Sequence, residues 1–507
     1  MKKSILYILS LILILASNSQ LVIAKTPELS ENEKIFQVLN RLTYGPKPGD
    51  FEYIKKIGVK KFIDNQLNPE SYELPPYLMT DLKSNEAIIL SPTQIIQNYG
   101  RLAIANQNPA ISDKTELNKL FLKNFRKFYL LSAQARIERA MSSPRQLQEV
   151  MTDFWFNHFN VSHDKGLVHL WVGSYEERAI RANALGNFRD LLGATANHAA
   201  MLFYLDNYLN SHIKENPHEQ NNNKLKLGIN ENYARELMEL HTLGVDGGYH
   251  QTDVINLAHI LTGLSLWHEK MPKNAIPNEA FGSCFYPNRH DFSSQTILDQ
   301  KIASGGLDQI NAALDLLANS KATAHHIAYE LAQYFLTDDP PASVVNKLAD
   351  KFSETHGNIK AVMECLINSP EFFDPKYYRV KYKSPYRYVI AILRLSCLKY
   401  SDLNNAMGLL GIMNQMGEPL YSCLTPDGYK CTKTAWLNPQ SILQRISFAT
   451  ACGSGKFLTG QNNALNFELV FPLLKETLTP ATIDTITKAP AQLKPALLIG
   501  SPEFNYY

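Results

Sequence analysis

Apolar residues recur every three to four positions along most of the chain. From Asp113 to Ala140 this period runs without a Pro or Gly, which predicts one long helix. Ser143-Pro144 follows and reads as a cap with a first-turn proline opening the next helix. The same spacing predicts helices over Arg189–Tyr208, Glu231–Leu243, Thr252–Leu264, Asp308–Leu317, Ala322–Leu336, Ala342–Thr355, Ile359–Ile367, Pro385–Leu398 and Pro439–Cys452. Two-residue alternation is almost absent, so few or no strands are expected. No fixed-length repeat suggests a solenoid. The pattern therefore predicts an all-α fold, a large multi-helix globular body. Two segments interrupt it. Ile213 to Leu227 reads as a polar loop, and Trp267 to Gly306, with Pro272, Pro277, Gly282 and Pro287, reads as a long irregular loop. Loops of that length are often functional.

Composition adds the compartment. Lys2 and Lys3 precede an apolar run from Ile5 to Ala16, a polar break at Ser17 to Gln20, and Val22-Ile23-Ala24. This is the layout of a secretory signal with cleavage expected after Ala24, and it predicts an exported protein, periplasmic or secreted. The 507 residues carry 50 basic and 48 acidic side chains, a net +2. Removing residues 1–24 takes away two lysines and no acid, leaving 48 of each. A balanced chain gives no electrostatic reason to expect nucleic-acid binding. No second run of about 18 apolar residues is present, so no integral membrane segment is expected in the mature chain. Residues 25–456 are expected to form one helical domain, with 457–507 a C-terminal helical extension packed on it.

All six cysteines lie after the export segment, where disulfides are permitted. Cys423 and Cys431 flank a Pro-Asp-Gly turn signal and are expected to form a disulfide. Cys365 and Cys397 fall in helical patterns and read as small core side chains.

Four polar constellations carry candidate chemistry. In Phe154-Trp-Phe-Asn-His-Phe159, aromatic residues cover most of the helix circumference. Asp153 and Asn157 form a narrow polar strip, and His158 falls on the apolar side. These groups need partners inside the protein, either structural hydrogen bonds or a metal or proton-transfer role. In Asn230 to Gly244, Asn232, Arg235, Glu236 and Glu239 share one helical side while His241 points away. The two carboxylates could share a cation or split acid and base work; a solvated face with an Arg–Glu pair is the simpler alternative. His198 and Asp206 lie within one quadrant of a helix but ~12 Å apart along its axis. Arg289-His290-Asp291 places a His-Asp pair in the long loop. Nucleophile-elbow, phosphate-loop, His-Glu-x-x-His and dinucleotide-binding signatures are all absent. A divalent metal is thus possible without a recognised ligand motif.

Taken together, these stretches resemble the bacterial family known as domain of unknown function 1800. The resemblance is carried by Leu39-Asn-Arg-Leu-Thr-Tyr-Gly45, Phe154 to Phe159, His198 to Asn207 and Asn230 to Leu240. It continues through Leu261-Thr-Gly263, His290-Asp291, Thr323-Ala324, Asp338 to Pro341, Ser369 to Phe372 and Trp436 to Pro439. Ala199 departs from the family's usual proline. The resemblance implies an exported, largely helical protein and a possible protein partner, from a neighbouring family similar to the alkaline-phosphatase and sulfatase group. It implies no catalytic residue. Two functional expectations follow: a binding or assembly component of the cell envelope, or a metal-assisted, hydrolase-like enzyme whose site gathers His158, Glu236, Glu239, His290 and Asp291.

Overall fold

The computed structural model describes residues 28–212, 228–398, 406–456 and 465–507. The expected export signal, with cleavage expected after Ala24, and the polar loop expected from 213 to 227 lie outside the described residues. Helices dominate the rest. The uninterrupted period after Asp113 forms a helix over Lys114–Ser142, capped by the Asp113 carboxylate accepting from Thr115 N. Ser143 and Pro144 lie between this helix and the next, Gln146–His158. Helices Lys321–Phe335, Ala342–Glu354, Ile359–Ile367, Pro385–Ser396 and Pro439–Gly453 follow the predicted spacing closely. No helix among the described residues is long and apolar enough to cross a membrane.

Several predicted elements differ: the helices expected over Glu231–Leu243 and Thr252–Leu264 end at Glu239 and Ile260. The single helix expected over 189–208 is two, Phe188–Ala196 and Ala199–Tyr204. His198 has extended backbone angles and its Nδ1 accepts from Ala200 N at 3.1 Å, so it caps the second helix instead of continuing the first. Asp206 then takes a left-handed conformation, φ 62°, which ends the run. The long segment after Trp267 holds short strands. Ser283–Phe285 is the centre of a small antiparallel sheet between Leu264–Leu266 and Ile276–Asn278. Gln295–Ile297 and Gln300–Ile302 form a hairpin whose turn residues, Leu298 and Asp299, both have positive φ.

The Gln146–His158 helix runs through the middle of the core. Phe154, Trp155, Phe156 and Phe159 are all buried, and the Trp155 indole donates to Ala184 O at 3.0 Å. Each such aromatic stabilises the fold by about 1.5–3 kcal/mol through removal from water. Beside it lies a buried ionic network. Arg136 pairs with Asp153 and Glu176, and Arg181 pairs with Glu149, Glu176 and Glu177. Glu176 and Glu177 belong to a short π-helical stretch, Glu176–Ile180, that brings both carboxylates to these arginines. The C-terminal residues are stitched to the body: Lys381 N donates to Tyr507 O, and Tyr507 N returns the bond to Lys381 O.

Candidate functional site

The Gln146–His158 helix, the Lys321–Phe335 helix, the start of the Pro385–Ser396 helix and the segment 418–431 enclose a cavity of about 300 Å³. Asp153, Asn157, His158 and Glu239, all candidates from sequence, line it. Asp153 pairs with Arg136 and accepts from Tyr334 Oη at 3.0 Å. Asn157 makes two bonds to one residue: Nδ2 donates to Tyr429 O at 2.8 Å and Oδ1 accepts from Tyr429 N at 2.7 Å. These two side chains hold the walls in place.

His158 meets a carboxylate that sequence reasoning did not single out. Its Nδ1 lies 2.6 Å from Glu330 Oε2, and its Nε2 lies 3.2 Å from His241 O. A carbonyl only accepts, so Nε2–H donates to it, and the 2.6 Å contact on the other side needs a second proton, shared between Nδ1 and the Glu330 carboxyl. His326, one turn before Glu330 on the same helix, donates from Nε2 to Leu240 O at 3.2 Å, and the same nitrogen lies 3.7 Å from Glu330 Oε1. One ligand atom each from His158, His326 and Glu330 falls within 4.8 Å of the others. Burial opposes ionisation of Glu330, but the adjacent His158 outweighs it and holds the carboxyl below its ordinary value. Burial lowers the pKa of His326, against the pull of Glu330. Gly244 allows this approach: at φ +84° it ends the preceding segment, and a Cβ there would sit 3.1 Å from His326 Nδ1.

Behind this group lies His241, with its ring 6.1 Å from that of His158 and almost no exposure. Neither of its nitrogens has a hydrogen-bond partner, and burial with two neighbouring imidazoles pushes its pKa well below the usual value. Glu418 also lines the cavity. Its Oε2 accepts from Tyr386 N at 2.7 Å, and burial pushes its pKa up to about 7.

The other sequence candidates lie elsewhere. Glu236 is half-buried, and burial together with Glu239 raises its pKa. Arg235 pairs with Glu231 at 3.1 Å, and Asn232 Nδ2 donates to Leu205 O at 3.2 Å. Asp206 pairs with Lys165 at 2.8 Å. His198 is fully buried, and its pKa falls to about 3 through burial and the nearby Arg178. His290 lies 2.8 Å from Thr262 O and 3.2 Å from Gln309 Oε1. Asp291 forms a separate group with His259 at 2.7 Å and His212 at 3.4 Å. Thus His158 and Glu239 share a cavity, but His290 and Asp291 do not join them there.

The expected Cys423–Cys431 disulfide is absent, and both thiols are free. Cys423 Sγ turns toward Thr425 O at 3.7 Å, whereas Cys431 Sγ donates to Gln333 Oε1 at 3.2 Å. The intervening turn closes through Gly428 N donating to Thr425 O at 3.2 Å, and the Tyr429 backbone beyond it binds Asn157. Cys397 is another correction, since it caps its helix in an exposed, left-handed position outside the core.

The fold and site define a class: a large helical body around one polar cavity, with an imidazole–carboxylate group in its wall. The chain belongs to the family described as Protein of unknown function (DUF1800), which it matches over residues 37–506. No curated protein and no solved structure matches the chain.

Proposed function

We propose that the protein is an exported, metal-assisted enzyme of hydrolytic type, with a divalent ion held by His158, His326 and Glu330. The observation that carries this reading is the convergence of three ligand atoms within 4.8 Å at the wall of the cavity. Three protein ligands leave a further position open to water or substrate, and a metal-bound water loses its proton near neutral pH. The His158 bond to the His241 carbonyl supports the arrangement, because it orients the ring as outer-shell partners do. Metal–ligand bonds of about 2.0–2.1 Å in a tetrahedral site set ligand atoms roughly 3.3 Å apart. Holding an ion there would require the proton shared across the 2.6 Å His158–Glu330 contact to leave to solvent and the two ligand atoms to part. Glu418, with a pKa near neutrality, is suited to proton transfer in the same cavity.

The test is elemental analysis of untagged protein alongside thermal unfolding. About one equivalent of metal is expected, with loss of metal in Glu330→Gln and His326→Ala and a lower Tm after chelation. Trace metal together with an unchanged Tm after chelation would sink the proposal.

The export part rests on Lys2, Lys3, the Ile5 to Ala16 run and Val22-Ile23-Ala24. A second reading, an assembly role in the envelope, draws on an apolar groove; a partner of the alkaline-phosphatase and sulfatase-like group comes from the family resemblance and not from the groove. Ile446, Leu493 and Leu497 line this groove of about 440 Å³, and Leu443 stands exposed one turn earlier.

A further inference from the structure

The same cavity has a second chemical feature at its aromatic end. Arg387 is 3% exposed, and its Nη1 donates to Asn40 O at 2.7 Å and Thr43 O at 2.9 Å. Its Nη2 has no hydrogen-bond partner, and among the described residues no carboxylate forms an ion pair with it. Three tyrosine rings surround the guanidinium: Tyr507 at 4.2 Å, Tyr44 at 5.4 Å and Tyr334 at 5.7 Å. The next residue in the wall, Tyr386, is also buried; its hydroxyl makes no hydrogen bond of good geometry and faces Arg136, whose guanidinium lies 5.0 Å from its ring. Tyr44 touches both, its ring lying 5.5 Å from that of Tyr386. Burial opposes the guanidinium charge, the surrounding tyrosines favour it, and the protein's own acids nearby are committed. Asp153 is taken by Arg136 and Tyr334, and Glu418 by the Tyr386 backbone. Arg136, in contrast, has both Asp153 and Glu176.

We propose that Arg387 Nη2 and Tyr386 Oη form a subsite for an oxyanion, so that the cavity takes a small substrate bearing a carboxylate, sulfate or phosphate group. This deepens the metal-enzyme reading and rests on it for the meaning of "substrate": the anionic group is seated at the arginine end, and the bond to be cleaved faces the His158–His326–Glu330 end. An anion supplies the missing charge and accepts from the open guanidinium edge. Arginine is suited to this role because its planar donor fork matches oxyanion geometry. The tyrosine rings exclude water, which strengthens the pairing.

Binding of the plain anions tests the subsite without any turnover. Metal-free, chelator-treated protein is titrated with sodium sulfate, phosphate and acetate, each against sodium chloride of equal ionic strength, with Tm and calorimetric binding as readouts. At least one oxyanion is expected to raise Tm saturably. Its affinity should fall at least 10-fold in Arg387→Met and about 3-fold in Tyr386→Phe. Sulfate or phosphate acting alone marks a tetrahedral group, acetate a planar one, and either supports the subsite. No saturable effect beyond chloride overturns it, as does binding unchanged in Tyr386→Phe and Arg387→Met. Tyr386→Phe removes one oxygen and carries the test should Arg387→Met fail to fold. Metal content is measured separately, so failure of the subsite and failure of the metal centre give different results.

Discussion

Glu418 shows how one buried residue ties stability to pH. Its carboxyl titrates near 7 in the fold and at the ordinary value of 4.5 when exposed. The folded state therefore binds the proton more tightly than the unfolded chain. Its contribution is complete below about pH 4.5 and is lost as pH rises through 7, by at most about 3 kcal/mol given some contact with cavity water. His198 and His163, with pKa values pushed down to about 3 and about 4 by burial, act the other way. Both destabilise the fold as pH falls below about 6.5, where the unfolded imidazoles take up protons. Comparing wild type with Glu418→Gln cancels the histidine effect. The Tm of the variant minus that of wild type is expected to grow from pH 5 to pH 8. A difference that stays flat across that range would show the carboxyl to be unperturbed.

Among elements, the segment 418–431 is the cavity wall that depends most on one contact. Asn157 binds both backbone groups of Tyr429, and Gly428 takes φ +64° with its missing Cβ directed at Asn157 O, 2.3 Å away. Asn157→Ala should cost about 1–3 kcal/mol through the two orphaned backbone groups. Gly428→Ala should cost at least as much through backbone strain and the clash. The two changes act on one contact, so the double variant is expected to lose less than the sum in denaturant unfolding. Strict additivity would mean that the clamp is not a unit. This clamp also shows what the sequence made legible. The aromatic-covered helix marked Asp153, Asn157 and His158 as polar groups in need of partners, and the 3.6-residue period located Ile359–Ile367 to the residue. Who the partners are depends on tertiary packing. Glu330 sits 172 residues from His158, so no local pattern links the two. A His-x-x-x-Glu spacing at His326 and Glu330 was the available signal, since it sets both on one helical face. The strands of 264–302 are three residues long, too short to establish alternation.

Over the whole molecule, charge and shape point to different modes of contact. From residue 25 onward the charges balance, so long-range attraction to a partner is weak. The apolar groove near the C-terminus offers another mode. Ile446, 51% exposed, lines the groove together with Leu493 and Leu497, and Leu443, 62% exposed, stands one turn before it on the same helix. If the assembly reading holds, native protein from envelope extract should retain a protein of the alkaline-phosphatase and sulfatase-like group, identified by mass spectrometry. Because the contact is apolar, it should survive moderate salt that would screen a charge-driven one. A Leu443→Glu, Ile446→Glu double variant should lose the partner while its metal content and Tm stay close to wild type, since both side chains already face water. Recovery of wild type as a lone monomer under several mild conditions would remove the groove's role. Retention of the partner by the double variant would move the interface elsewhere on the body.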